Sequence, residues 1–162
     1  MTRAMAVVGL WRVEGKPDAP LSAFGDVEAG SWYEAAVNWA ASCGIVLGVS
    51  ADKFDPNAPT TREQAAAIWY RYAKYKGVDV SVSSRLDQRF TDANRVDDWA
   101  YDALAWMSET QLVIGVGGDR LAPKDATLRC QFAAMTHRFC VGILGMPDVG
   151  EIKHLDENWT ED

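Results

Sequence analysis

The chain has 162 residues, a net charge of −7 and a pI near 4.8, with 48% hydrophobic and 24% charged positions, enough for one compact domain with a real core. That acidity argues against a nucleic-acid partner, which favours a basic face, and no run of eighteen apolar residues is present to span a membrane. An acidic chain can still hold a local cationic site, so a polyanion stays open as a ligand.

The opening, Met1-Thr2-Arg3-Ala4, lacks the basic and apolar segments of a signal peptide and reads as a helix already under way. The expectation is a fragment of something longer, cut inside a repeat. A helix follows from about Trp32 to Ser42, with Trp32, Ala36, Val37 and Ala40 along one face and Gly44 able to end it. After a short apolar segment, Ile45 to Val49, comes a loop of turn formers: Asp52, Asp55, Pro56, Asn57 and Pro59. A second helix starts at Thr61, with Ala65, Ile68, Trp69 and Tyr72 at i, i+3, i+4 and i+7. Gly77 to Gln88, with three serines, reads as a linker. The elements then recur, and the second helix of the later unit carries the stripe Leu128, Phe132, Met135 and Phe139. No strand alternation of useful length is present, so the protein is expected to be mainly helical.

The recurrence is an ordered series. Phe24-Gly25-Asp26-Val27 is answered by Phe90-Thr91-Asp92-Ala93, and Trp32-Tyr33-Glu34-Ala35-Ala36-Val37 by Trp99-Ala100-Tyr101-Asp102-Ala103-Leu104. Trp39 matches Trp106, Ile45 to Val49 matches Leu112 to Val116, and Thr61-Arg62-Glu63-Gln64 matches Leu128-Arg129-Cys130-Gln131. A further copy of the last element opens the chain: Thr2-Arg3-Ala4-Met5 aligns with Thr61 to Gln64, and Arg12 then falls on Arg71 and Arg138. The expected organisation is the second half of a first repeat at 2–14, a second repeat at 24–76, a third at 90–144, and a tail at 145–162 outside the repeats.

Arg in the first helical turn is the informative oddity. A helix N-terminus already carries about half a positive charge, so a cation there is unfavourable. Yet Arg3, Arg62 and Arg129 occupy that place in every copy. Free first-turn amides, the helix dipole and a guanidinium fork would together suit a carboxylate or phosphate. The alternative is that each Arg pairs with an acidic residue of a neighbouring repeat, Asp26 and Asp92 being the candidates; the two readings are compatible if an Asp orients the Arg. Trp32 and Trp99 could stack on sugar rings or simply pack, whereas Trp39, Trp69 and Trp106 are expected in the core. Gly48 and Gly115 would let backbone approach a ligand, though a turn explains them equally well. Arg71 and Arg138, late in their helices, are accounted for by the helix C-terminus.

No catalytic frame can be assembled. There is no G-x-S-x-G, no Gly-rich phosphate loop with Lys, and only two His, not at metal-ligand spacing. The Asp52, Asp55 and Asn57 loop lacks the Gly and terminal Glu of a calcium site. The expectation is a binding module rather than an enzyme, with no metal and no cofactor. The three Cys read as small core residues.

The ordered pattern Phe-x-Asp-Val, Trp-Tyr-x-x-Ala-Val, Gly-Ile-x-x-Gly, Phe-x-Pro and Thr-Arg-Glu-Gln resembles the S-layer homology family, over roughly residues 2 to 144. The resemblance implies helix-loop-helix repeats packed about a pseudo-threefold axis as a spindle with three prongs. It further implies an extracellular anchoring module that holds anionic, often pyruvylated, secondary cell-wall polysaccharide without inserting into a membrane. The motif Arg is a ligand contact in that family, a role carried by resemblance onto Arg3, Arg62 and Arg129. The third repeat departs from the pattern at Leu128, Cys130 and Gln111, which leaves the second repeat as the expected holder of an intact site. A structural role in assembling a surface lattice, without glycan contact, is the other reading. In a third, the truncated first repeat drives the chain to swap or form a homo-oligomer. Met146-Pro147-Asp148-Val149 faintly echoes Phe24 to Val27, so the tail reads either as a docking segment covering the surface left by the missing half-repeat or as an acidic extension.

Overall fold

A computed structural model describes residues 1–148. Most of the tail, 149–162, lies outside the described residues, and with it the test of the two readings of that segment. Five α-helices run in chain order: α1 (Arg3–Val13), α2 (Glu34–Ser42), α3 (Arg62–Tyr75), α4 (Asp98–Glu109) and α5 (Arg129–Arg138). Short 3-10 turns cover Leu86–Gln88 and Ala93–Arg95, and a π turn, Phe139–Ile143, extends α5. Among the described residues there is no strand, only three isolated bridges, so the chain is mainly helical as expected.

Local chemistry fixes the helix ends. Thr61 Oγ1 accepts from Gln64 N and Gln64 Oε1 accepts from Thr61 N, a reciprocal cap that stabilises α3 by about 1 kcal/mol. Thr2 Oγ1 caps α1 the same way through Met5 N. At α5, Gln131 Oε1 still accepts from Leu128 N, but a leucine side chain has no acceptor to return. Leu128 is therefore a cap residue, 56% exposed, and not part of the buried stripe its spacing suggested. Gly44 and Gly77 end α2 and α3 in the left-handed region, at φ +68° and +72°. Gln111 adopts the same conformation after α4, at φ 60°. A side chain there is strained by about 1–2 kcal/mol. Gln111→Gly is expected to raise the unfolding free energy by about 1 kcal/mol in urea denaturation, the relief of strain being partly offset by glycine's extra entropy when unfolded.

The helices pair across copies. α2 packs on α1 and α4 packs on α3, so the first helix of one unit lies on the second helix of the unit before it. Trp39, Trp69 and Trp106 are all buried, as expected. Trp69 joins α3 to α5 through Phe132 and Phe139, with ring centroids 5.4 and 5.0 Å away. The second helices meet at a ring of backbone hydrogen bonds just before their first turns. Thr60 N donates to Met1 O, Thr127 N to Thr60 O, and the Met1 ammonium to Thr127 O, at 2.8–3.0 Å. Equivalent positions bonded in a closed cycle define the pseudo-threefold axis. The linker is held too: Glu109 accepts from the amides and hydroxyls of Ser83 and Ser84, which pulls its pKa down to about 2. The cysteines correct one expectation: Cys130 is exposed and Cys43 and Cys140 are half-buried, all three as free thiols.

Candidate functional site

Two of the three motif arginines, Arg3 and Arg62, are buried, and their first bond is structural. Arg3 Nε donates to Phe54 O at 2.8 Å, and its guanidinium lies 4.9 Å from the Phe54 ring centre. Arg62 Nε donates to Leu121 O at 2.6 Å, the equivalent position one repeat on. The same two loop residues are gripped from the other side by aspartates. Asp26 accepts from Phe54 N and Asp55 N, and Asp92 from Leu121 N and Ala122 N, all at 2.7–2.8 Å. Asp and Arg thus clamp one loop turn between them and do not form an ion pair with each other among the described residues. Burial alone would raise the Asp26 carboxyl, but the amides of Phe54 and Asp55 outweigh it and hold it below the ordinary range. Asp92→Asn puts an NH2 where one of two buried amides needs an acceptor. It is expected to cost about 2 kcal/mol in urea denaturation.

The first-turn amides expected to be free are mostly taken. Arg3 N and Ala4 N donate to Ala58 O and Pro56 O; Arg62 N and Glu63 N donate to Asp125 O and Pro123 O. The loop before each following helix folds back over the N-terminus, so α1 and α3 offer an anion no backbone donors. Only at α5 do the corresponding amides, Arg129 N and Cys130 N, lack a partner among the described residues.

What the fold builds instead is a groove of about 400 Å3 between units, lined by Arg3, Gly48, Gln64, Arg71 and Trp99, with Val46, Leu47 and Val49 along one wall. Position alone accounts for Arg71 by the end of its helix, but the structure places it in this groove. It is half-buried, and among the described residues it has no hydrogen-bond or ion-pair partner. Burial lowers its pKa. Burial is also the largest influence lowering Arg3; Asp55 and Asp26 oppose it, and the positive charge of Arg71 adds to the lowering. Arg3 and Arg71 thus bring two like charges to one partly buried groove, an arrangement that an anion would stabilise. Trp99 stands at the rim, 52% exposed, beside the exposed Leu47 and Val49. Gly48 is needed by the turn itself: at φ +77° a Cβ would fall 2.5 Å from Ser50 O and 2.6 Å from the Phe24 ring.

A larger groove of about 800 Å3 lies between α1 and α5, lined by Arg129, Met5, Arg12 and Trp32 among others. These are the repeat positions of Arg3, Gln64, Arg71 and Trp99. Arg129 and Trp32 are exposed there, Trp32 to 58%. The remaining set, Arg62, Gly115 and Arg138, lines neither groove. Arg138 Nη1 turns onto Leu112 O, and a Cβ on Gly115 would meet Arg120 O at 2.8 Å. Of the sequence candidates, one groove therefore gathers Arg3, Gly48 and Trp99, the other gathers Arg129 and Trp32, and Asp26, Asp92, Arg62 and Gly115 act on the loops behind them.

Residues 23–66 and 89–133, together more than half of the chain, match the S-layer homology domain. An exoglucanase, XynX of Acetivibrio thermocellus, is 29% identical over 126 residues, covering 75% of this chain and 11% of that protein. The S-layer protein of Bacillus licheniformis is 27% identical and the S-layer protein EA1 of Bacillus anthracis 26%, each over 112 residues, 69% of this chain and 12% of theirs. The chain thus spans about an eighth or less of the length of the curated relatives it matches.

Proposed function

Because the chain belongs to the S-layer homology domain family, a family of cell-surface anchoring modules, we propose that it holds an anionic cell-wall polysaccharide, pyruvylated polymers included, in the groove of Arg3, Arg71 and Trp99. The observation that carries this reading is Arg71, half-buried in the same groove as Arg3 and with no side-chain partner among the described residues. A carboxylate placed between two guanidiniums removes their repulsion and accepts forked hydrogen bonds. Trp99 and the exposed Leu47 and Val49 offer apolar surface to the face of a sugar ring. The family module is non-catalytic, and the reading extends that to this chain: the glucanase relative matches over only 11% of its length. It also takes 2–14, 24–76 and 90–144 as the partial first, second and third repeats.

Co-sedimentation with purified wall polymer tests it. The chain is expected to pellet with polymer bearing its acidic substituents and to stay in solution once mild acid has removed them. Equal pelleting with both polymers would overturn the anion reading; pelleting with neither would favour assembly of a surface layer through protein contacts.

A further inference from the structure

We propose that Asp97 is a positioning residue for the polymer groove: tied to α3 through Lys124 and Glu63, it fixes the Trp99 ring at the rim in the attitude that meets a sugar. The inference rests on the reading of the Arg3, Arg71 and Trp99 groove as the polymer site. Trp99 Nε1 donates to Asp97 Oδ2 at 3.1 Å. Asp97 Oδ1 lies 2.6 Å from Lys124 Nζ, which also donates to Glu63 Oε1 at 2.6 Å. Glu63 is 3% exposed in the first turn of α3, and its Oε2 accepts from Asp97 N at 3.3 Å. Glu63 N donates to Pro123 O, which brings the neighbouring Lys124 to its carboxylate. The rim tryptophan is thus linked through two side chains to a buried anchor in the preceding unit.

Stability does not account for the arrangement. The side chains of Lys124 and Asp97 are 38% and 50% exposed, and ion pairs open to solvent add little to a fold. Asp97 stands at the N-cap of α4, yet its side chain caps no amide there. Its two oxygens go instead to the ammonium and the indole. The other full repeat supplies the contrast. Trp32 matches Trp99, but Gly30, Asn57 and Ala4 stand at the positions of Asp97, Lys124 and Glu63. The Trp32 ring lies edge-to-face with Tyr33, 5.3 Å between centroids, and its Nε1 has no acceptor among the described residues. The support therefore belongs to the groove that also holds Arg3 and Arg71. A ring already held in place loses less freedom when a sugar stacks on it, so its pre-organisation becomes affinity.

Two measurements on the full chain test this: titration calorimetry with wall polymer bearing its acidic substituents, and heteronuclear NMR relaxation of the indole Nε1–H groups in the free protein. Asp97→Ala is expected to weaken binding about fivefold in the native background and to change nothing in a Trp99→Phe background. In the free protein the Trp99 indole is expected to be ordered, and in Asp97→Ala to become as mobile as that of Trp32. Asp97→Asn keeps an acceptor for the indole and is expected to restore most of the affinity and of the order. An Asp97→Ala loss of equal size in both backgrounds overturns the proposal, since Asp97 would then act on the polymer or the fold directly. So does native affinity in Asp97→Ala, or an indole whose order does not change. If the groove reading itself fails, the native chain shows no affinity for the polymer, and the role of Asp97 falls with it.

Discussion

Arg71→Glu is expected to weaken binding to acidic wall polymer about 100-fold, on the order of 3 kcal/mol, while leaving the fold intact. The asymmetry follows from what Arg71 touches. It holds no hydrogen bond or ion pair among the described residues, so its loss leaves nothing behind unpaired. Its charge shares the groove with Arg3, and reversal both removes a donor to the anion and gives Arg3 a partner that competes with it. Arg71→Lys keeps the charge but not the planar fork and is expected to fall between, at about tenfold. Arg62→Ala should behave differently, because Arg62 Nε holds Leu121 O and the variant loses stability before it loses ligand. Titration calorimetry with the polymer, beside a urea curve for each variant, separates the two effects. Native affinity in Arg71→Glu would remove this groove from consideration.

Trp69→Ala carries the largest expected loss of stability, about 4 kcal/mol. The side chain is fully buried and meets Tyr72, Phe132 and Phe139, so the cavity opens where α3 and α5 share their core. Against a typical total of about 5–15 kcal/mol, that leaves a marginal fold. Trp69 Nε1 is buried and has no acceptor among the described residues. Trp69→Phe therefore drops an unsatisfied donor along with some volume, and about 1 kcal/mol or less is expected. Urea midpoints for the two variants test both figures; a small effect in Trp69→Ala would mean that the core closes over the gap.

The repeat, the helical class and the Trp core were legible in sequence because they rest on spacing. The offset between equivalent residues carried Arg12 onto Arg71 and Arg138, and it is these positions that the grooves reuse. The assignment of roles was less legible. Arg71 looked explained by the end of its own helix; what makes it a groove residue is Trp99, brought over it by the following unit. The free amides expected at α1 and α3 vanished for the same reason, since the loop ending at Pro59 or Ala126 returns to cover them. Leu128 fitted the apolar period, and periodicity cannot tell a residue before the first turn from one within it. In each case the deciding contact joins residues remote in sequence, which no local pattern encodes.

The hydrogen-bond cycle at the axis has a consequence for the order of folding. Its last link joins Met1 to Thr127, 126 positions apart. The equilibrium penalty for so distant a closure is small, since each doubling of loop length adds only about 0.6 kcal/mol. The kinetic consequence is larger, because distant pairings delay folding. During synthesis α1, α2 and α3 can assemble on one another early. The cycle stays open, with the carbonyl and amide of Thr60 and Met1 waiting on a missing third member, until residue 127 has left the ribosome. Nascent chains halted before that point should hold helical pairs without a closed hub.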